Sequence, residues 1–513
     1  MKRPRLRTLG AAYVATWVLI SWLTVPALDS YGDMVENYAW SQAWAWGTFR
    51  HPPLFAWMVG AWFSLFPTQV WAYYLLSYVN AWAGIVGILW LARLWVPAAV
   101  SRGRRDVFEM LVLLFAALSL PFSNLAAKFN ADTVLLSLWP WTAYAFFAAL
   151  HAAESRRRWK LTLLLAVMAT AAMLGKYYSG LLLASLLIIS IAQPEYRRWY
   201  RTVYPYAALG LLLVLLLPHT IWEARAGFPF LDYLEGKVDE RVSVGRIALF
   251  LLSGIYYLPA SWLAWLIVRR RLTSAERKPI AWAVPLRPLV LLCILPAIFT
   301  TAFNVFARIH LTTHWAIPVW FGLPVMMAVW LLPDLGDDFE WKRFERGVAV
   351  AWVVLLAGAL IYTAVLSVTG DAKYSLARLE MVKAIERRFV DRFPSAHLAW
   401  AGGTWPESGA LAFFGAGHPR ALPGVPDDPR ALVNPYESWR QQHGVLICYA
   451  SGAYAREGTH DAGCESQTRA WLQGRGLKVD EESLTYHADG WRFRRAQPKN
   501  ITVFWVPPAR GKL

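Results

Sequence analysis

DSYGDMVENYAWSQAWAWGTFRHPPLFAW, residues 29 to 57, is the stretch on which the reading of this chain turns. Asp33 and Glu36 stand three residues apart, a tryptophan-rich amphipathic segment follows, and the run closes on Arg50-His51-Pro52-Pro53. A helix over 33–46 would put Asp33, Glu36 and Asn37 on one face, because positions three and four apart are neighbours on a helix. Trp40 and Trp44 would align as well. The two prolines end any helix there, since they lack N–H donors and push the preceding residue out of the α region. Asp33-Met34-Val35-Glu36 also has capping-box spacing, with Asp33 as N-cap and Glu36 reaching back to its amide. Capping and chemistry are compatible, because a cap carboxylate is held in a fixed orientation.

Outward from this stretch the chain is apolar. It has 513 residues, 57% of them hydrophobic, a mean hydropathy of +0.34 and 30 Trp, more than a soluble core needs, so it reads as a polytopic membrane protein. A span needs about 20 mostly apolar residues to cross roughly 30 Å of hydrocarbon. Eleven runs qualify: 9–28, 71–92, 107–122, 132–150, 161–175, 178–193, 204–221, 247–268, 289–306, 314–332 and 347–367. Gly175-Lys176-Tyr177-Tyr178 separates two of them as a tight outer hairpin. The basic N-terminus has the look of a signal peptide, but the first run ends in Thr24-Val25-Pro26-Ala27-Leu28 without a small-x-small cleavage site, so the first span is expected to stay.

A net charge of +17 and a pI near 9.8 would suggest nucleic acid in a soluble protein. Here the cations sit in short clusters between apolar runs, which argues against a nucleic-acid partner. Arg102, Arg104 and Arg105, then Arg156 to Arg158 with Lys160, Arg197, Arg198 and Arg201, Arg269 to Arg271 with Arg277 and Lys278, and Lys342, Arg343 and Arg346 make every second loop basic. That is the positive-inside pattern. It predicts an inner-membrane protein with a cytoplasmic N-terminus, Asp33 and Glu36 outside, and a periplasmic C-terminal domain.

The expected division is a transmembrane domain over 1–369, with a first outer loop at 29–70, and a soluble α/β domain over 370–513. Within the latter, 371–393 places Leu376, Leu379, Ile385, Phe389 and Phe393 near helical spacing. Residues 443–450 and 501–506 read as buried strands, and 486–491 as a hairpin turn. Outside the membrane Cys448 and Cys464 either pair or remain two thiols. Cys293 lies within a span and is read as packing.

No Walker A motif, no GxGxxG after a strand, no HExxH and no CxxC stands at a useful position. Polar residues gather instead at the outer ends of the spans: Lys128-Phe129-Asn130-Ala131-Asp132, Lys176-Tyr177-Tyr178, His219 with Trp222-Glu223, and 308–315 with Arg308, His310, His314 and Trp315. One lysine at a span end serves as a snorkelling anchor. Recurrence on the side that carries Asp33 points to a cavity that neutralises a phosphate at the bilayer surface, since ionisable groups at membrane depth need a partner or a task.

With these residues in view, the run Asp33 to Trp57 resembles the first outer loop of the GT-C glycosyltransferases, in particular the dolichyl-phosphate-mannose protein mannosyltransferase-like family that includes lipid A aminoarabinose transferases. Asn130-Ala131-Asp132-Thr133 and Gly175-Lys176-Tyr177 resemble two further family motifs, and the similarity covers about residues 9 to 330. The resemblance implies a polytopic enzyme that takes a sugar from a polyprenyl phosphate carrier, with Asp33 at the catalytic centre and Asp132 as the acid of the second outer loop. The chain has Asp33-Met34 where many relatives have Asp-Glu, which makes Glu36 the candidate second acid. It has Arg50-His51-Pro52-Pro53 where aminoarabinose transferases tend to have Glu-Lys-Pro-Pro.

The chemistry fits the same residues. Transfer needs a base for the acceptor hydroxyl and cations for the leaving phosphate. Asp33 is the base, and His51, Lys176, Arg50, Lys128 and Arg308 are candidates for the phosphate, which favours Arg and Lys donors. Asn130, Tyr177, His310, His314 and Trp315 would line the acceptor cavity, and the tryptophan-rich segment 37–46 would lie as a helix in the interface. Direct displacement would invert the anomeric centre. The acceptor class is lipid A or lipopolysaccharide, another envelope glycan, or a protein. No cofactor is demanded by a motif, and a divalent metal is left open. Two other classes remain: a transporter or flippase of a lipid-linked solute, against which stand the lack of an internal repeat and the gathering of polar groups at one face, and a noncatalytic assembly protein.

Overall fold

In hydrocarbon only an intrahelical ladder satisfies every backbone N–H and C=O of a single span, and the apolar runs are helical. The computed structural model describes residues 6–238, 242–272, 280–336, 341–369, 377–423, 436–449, 463–487 and 498–509. The helices run α1 (Leu6–Thr24), α2 (Asp33–Ser41), α3 (Leu54–Phe63), α4 (Val70–Arg93), α5 (Arg102–Leu118), α6 (Leu135–His151), α7 (Ser155–Gly175) and α8 (Ser179–Ala192). There follow α9 (Tyr204–Arg225), α10 (Pro229–Glu235), α11 (Val244–Tyr256), α12 (Pro259–Leu272), α13 (Leu286–Ala307), α14 (Leu323–Leu331) and α15 (Trp341–Thr369).

Among the described residues seven helices are long and apolar enough to cross a membrane, or ten if each bent pair is one span. The bends explain why straight spans were expected where broken ones occur. The runs 107–122 and 247–268 turn by 81° and 46° beside Pro121 and Pro259, and the run 178–193 is one helix that turns by 103° at its end, at Pro194, where a missing N–H and a ring clash interrupt the ladder. The run 132–150 is α6, whose 17 residues rise only about 25 Å at 1.5 Å each.

The chain divides into two compact units. One comprises Met1–Trp17, Arg50–Leu54 and Ser77–Ala351, the other Val18–Phe49, Phe55–Leu76 and Trp352–Leu513. This division does not run at residue 370, because the second unit takes in most of the first outer loop.

In the first unit α4 and α6 meet backbone to backbone: a Cβ on Gly84 would lie 2.2 Å from the Leu136 carbonyl oxygen, so only glycine permits the crossing. A buried polar thread runs beside it. Asn80 donates to the Thr133 carbonyl at 2.8 Å and accepts from Ser137 at 2.6 Å. Trp139 stacks on Tyr178 with centroids 5.5 Å apart and donates to Ser179 at 3.0 Å. These contacts hold the α7–α8 hairpin against α6.

The second unit contains a five-stranded sheet, β1 (Leu398–Gly403), β2 (Arg420–Pro423), β3 (His443–Tyr449), β4 (Asp480–Tyr486) and β5 (Lys499–Val506), in the order β2-β1-β3-β5-β4. β1 pairs in parallel with β2 and β3, and β5 pairs antiparallel with β3 and β4. The helices α16 (Arg378–Arg392), α17 (Trp405–Phe414) and α18 (Cys464–Gly474) cover it. Strand alternation makes the two faces: Val445 and Ile447 with Ile501, Val503 and Trp505 pack on Met381, Val382, Ile385 and Phe389 of α16. Leu446, Cys448 and Phe504 face Trp400, Trp471 and Leu472. Leu379, expected on the buried face of α16, is 40% exposed; Met381 and Val382 take that role, and Leu376 lies outside the described residues.

The strands expected at 443–450 and 501–506 are β3 and β5, while residues 488–491 of the expected hairpin turn lie outside the described residues. Cys448 of β3 and Cys464 at the start of α18 form a disulfide with Cα atoms 5.7 Å apart. At the sheet's edges, β4 pairs Glu482 with Arg388 at 2.6 Å and Glu481 with Arg469 at 2.5 Å, and Asp480 bonds Arg392. On β2 the Gln42 side chain accepts from the Ala421 N–H at 3.1 Å and donates to the Pro419 carbonyl at 3.2 Å.

Candidate active site

In the second unit, the acidic helix α2 does not start as a capping box. Its N-cap is Gly32, at φ 97°, a left-handed conformation that suits glycine. Asp29 supplies the cap instead: Oδ2 accepts from the N–H groups of Gly32 at 2.8 Å and Asp33 at 3.0 Å, and Oδ1 from Met34 at 2.8 Å. Three amides at the start of the helix are thereby satisfied by one carboxylate, and that carboxylate is Asp29 rather than Asp33. Asp33 is half-buried, and Glu36 and Asn37 are buried on the same helix. The Tyr73 hydroxyl donates to the Met34 carbonyl at 2.8 Å and braces this turn.

The helix expected over 33–46 ends at Ser41. Gln42 and Ala43 bond back to Ala39 and Trp40 at 3.3 Å in a tightened last turn, and Trp44 at φ 50° breaks the ladder. Trp44 lies over Gly60, where an added Cβ would meet its ring at 3.0 Å. Trp57 donates to Ala45 at 2.8 Å and packs edge-on to Trp46 at 4.9 Å. The tryptophan-rich segment is thus a helix end and a turn rather than one continuous interfacial helix.

The first unit carries the cations. Asn130 Oδ1 accepts from the N–H groups of Asp132 and Thr133, both at 3.0 Å, and the Thr133 hydroxyl oxygen accepts from the Asn130 N–H at 2.9 Å. This reciprocal cap fixes the approach to α6 and gives Asn130 a structural task. Thr133 also donates to the Lys128 carbonyl at 2.7 Å. The cap aims Asp132 at Lys176, whose Nζ lies 2.5 Å from Oδ1 with side chains 12% and 14% exposed for Lys176 and Asp132. The same ammonium sits 5.6 Å from the Trp315 ring centroid and 5.9 Å from that of Tyr178, within cation–π range. Lys176 itself is extended, φ −164°, because α7 stops at Gly175.

Next to it Tyr177 donates to Glu223 at 2.7 Å and bonds His219 at 2.6 Å. Burial and the Glu223 carboxylate both hold the proton on the Tyr177 hydroxyl, so Tyr177 is a donor and not a base.

A second cation group surrounds Tyr233 of α10. Arg50 lies 5.9 Å and Lys237 5.4 Å from its ring centroid, and His51 meets it edge-on at 5.8 Å. Burial, followed by the charges of Arg50 and Lys176, holds the Lys237 ammonium below its ordinary range. Burial disfavours the charged form first, and the like charges nearby add to it. Lys237 is placed by a short bridge between Val238 and Ile309 and by the His310 N–H donating to its carbonyl at 2.8 Å. Arg246 bonds the His310 ring at 2.8 Å. Arg308 ends α13 in the left-handed region, φ 52°, with an exposed side chain, and His314 is exposed as well. Of the expected site residues in this unit, then, Arg50, His51, Asp132, Lys176, Tyr177, His310 and Trp315 are tied into two polar groups, while Arg308 and His314 are not.

Sequence reasoning missed Lys237, Tyr233 and Asp29. Lys237 stands in an outer connection that was otherwise read only for its scattered cations, and Asp29 was visible four residues ahead of Asp33, where a cap was sought at Asp33 itself. Among the described residues no group of three or more His, Cys, Asp or Glu is placed to hold a metal ion. The first unit by itself brings Arg50, His51 and Lys237 around Tyr233 and sets Lys176 against Asp132, groups of the kind that bind a phosphate.

Comparison with known proteins bears on the fold and on one segment of the chain. Residues 50–222 match the dolichyl-phosphate-mannose-protein mannosyltransferase family. No curated protein sequence matches the chain. Among solved structures, ArnT from Cupriavidus metallidurans bound to undecaprenyl phosphate superposes with a TM-score of 0.55 at 14% identity, over 96% of each chain. The apo state of the same protein gives 0.54 at 14% identity, again over 96% of each chain. The chain is therefore a multi-pass membrane protein with the GT-C fold of ArnT, and its residues 50–222 match the mannosyltransferase family model.

Proposed function

We propose that this protein is a membrane glycosyltransferase that moves a sugar from a polyprenyl-phosphate donor to an envelope acceptor, either a glycolipid such as lipid A, another glycan, or a protein. The observation that carries the reading is the gathering of Arg50, Lys237 and His51 around the Tyr233 ring in a chain whose residues 50–222 match the mannosyltransferase family. ArnT binds undecaprenyl phosphate in its crystal structure, and a lipid-linked phosphate of that class is the donor we assign here.

In this mechanism Asp33 takes the proton of the acceptor hydroxyl as the oxygen attacks the anomeric carbon. The bond from that carbon to the phosphate oxygen breaks, and the charge arriving on the phosphate is met by Lys176, Lys237, Arg50 and His51. Preorganised cations of this kind act most strongly on charge that develops in the transition state. A single displacement inverts the anomeric centre. Tyr177, held protonated, hydrogen-bonds as a donor. The loop charges support an inner-membrane location with the N-terminus in the cytoplasm and residues 370–513 in the periplasm.

The test is transfer by purified protein in nanodiscs, with labelled polyprenyl-phosphate sugars and lipid A, glycan and peptide acceptors. Wild type should transfer, and Asp33→Asn should lose about 10²- to 10⁴-fold at an unchanged unfolding temperature. Near-normal transfer by Asp33→Asn removes Asp33 as the base. Solute flux in proteoliposomes without transfer from any donor would replace the enzyme by a transporter.

A further inference from the structure

The base helix α2 is not held by the membrane spans alone. Within the second unit, the guanidinium of Arg378, the first residue of α16, is buried, and its Nη1 donates to two carbonyls of the segment between α1 and α2: Ala27 at 2.8 Å and Asp29 at 2.9 Å. Asp29 is the residue whose carboxylate takes the Gly32, Asp33 and Met34 N–H groups. One side chain of the C-terminal domain thus fixes the backbone of the cap, and the cap fixes the backbone of Asp33. Two glycines allow the rest of the docking. A Cβ on Gly32 would meet Pro406 at 3.0 Å and the Trp405 ring at 3.1 Å, and a Cβ on Gly409 of α17 would stand 2.9 Å from the Val35 carbonyl. Tyr38 of α2 packs edge-on to Phe413 of α17 at 5.2 Å.

We infer that Arg378 is a positioning residue for the transfer reaction, acting through Asp29 on Asp33, so that the C-terminal domain is part of the catalytic apparatus and not an appendage. This rests on Asp33 being the base, as proposed above. A buried arginine whose two hydrogen bonds both end on the loop carbonyls around a cap residue restricts that loop directly, and misplacing a catalytic group by about 1 Å costs on the order of 10²-fold in rate. Donor binding draws on the cations of the other unit and should be spared.

The experiment uses the full chain with Arg378→Gln, and Arg378→Lys and Asp29→Asn as milder variants in case the first fails to fold. Hydrogen exchange of the segment 29–41, read without substrate, should accelerate about tenfold in each variant while the sheet of the same unit exchanges as in wild type. In the transfer assay kcat should fall about 10- to 100-fold with the donor KM within twofold, and Arg378→Lys should recover part of the loss. In an Asp33→Asn background Arg378→Gln should add no further loss, because a residue acting through Asp33 has nothing left to position. Unchanged exchange at 29–41 overturns the inference whether or not transfer is observed. So does an additive loss in the Asp33→Asn background. Wild type that transfers no sugar counts against the proposed function, whereas active wild type with inactive Asp33→Asn and normal Arg378→Gln overturns only the positioning role.

Discussion

Asp132→Asn separates charge from shape at the Lys176 ammonium. Asn keeps the side-chain outline and one acceptor oxygen, and the backbone at 132 is held independently by Asn130. The pair is close, 2.5 Å, and both side chains are mostly buried. The ammonium keeps a charge-assisted hydrogen bond to the amide oxygen, so the variant loses only the carboxylate's charge; with both side chains still partly exposed this is worth about 1–2 kcal/mol to the protein without ligand, less than the roughly 3–5 kcal/mol of breaking a fully buried pair. If Lys176 receives the donor phosphate, Asp132 acts as its internal substitute, and that energy must be given up when phosphate arrives. By linkage the variant should lose about 1–2 kcal/mol of stability without ligand and bind polyprenyl phosphate about 5- to 30-fold more tightly, since 1.4 kcal/mol is tenfold in affinity. Calorimetric titration of detergent-solubilised protein with a short-chain polyprenyl phosphate reads the affinity, and thermal unfolding without ligand reads the stability. In a Lys176→Met background the effect of Asp132→Asn on affinity should vanish. Affinity that is unchanged or weaker in Asp132→Asn, with Lys176 intact, refutes the substitution argument.

Lys237→Met should remove a proton uptake. The Lys237 pKa is lowered, so its charge costs the folded state stability at pH below that lowered value, and the cost fades as pH rises through it toward the ordinary 10.5. A phosphate restores the charge; wild type should take up protons on binding in that alkaline window, seen as a buffer-dependent enthalpy, and Lys237→Met should not. Replacing both Cys448 and Cys464 by Ser should destabilise the C-terminal domain by about 3 kcal/mol, the chain-entropy value for a loop of roughly 15 residues, measured by thermal unfolding with and without reductant; equal stability of variant and wild type would contradict it. A reporter fused after Leu513 should be active only on the periplasmic side and one fused near Arg157 only in the cytoplasm, and a cytoplasmic signal from the first would mean that a span has been gained or lost.

Apolar length was enough to find the helices, because hydrocarbon imposes one backbone solution. Their bends were written in Pro121, Pro194 and Pro259, but a proline inside an apolar run can be absorbed as well as bend: Pro140 and Pro218 lie inside α6 and α9, which remain single helices. The polar groups at the span ends were legible as a set, whereas their pairing was not. Nothing local distinguishes Lys176, which finds Asp132 44 positions away, from Arg308, which the left-handed end of α13 turns outward. The capping box failed for a related reason. Asp29 and Asp33 both stand near the helix start with suitable side chains, but Gly32 is the N-cap, Asp33 is already inside the helix, and the left-handed turn at Gly32 brings Asp29 round to the exposed amides. Lys237 could not be singled out without its neighbours, since crowding is a property of three dimensions.

The two outer strands of the sheet bear on how any polypeptide could be recognised. β4 presents Asp480, Glu481 and Glu482 already engaged by arginines, and the Ala421 N–H of β2 is taken by Gln42 from the end of the acidic helix. An unguarded margin of a sheet is a template for a foreign strand, and strand addition is a common way to capture an extended peptide. At Asp480–Glu482 of β4 and at Ala421 of β2 an added strand would have to displace an existing side-chain partner, which makes strand addition costly at those positions and works against the edge-to-edge association that exposed strands invite.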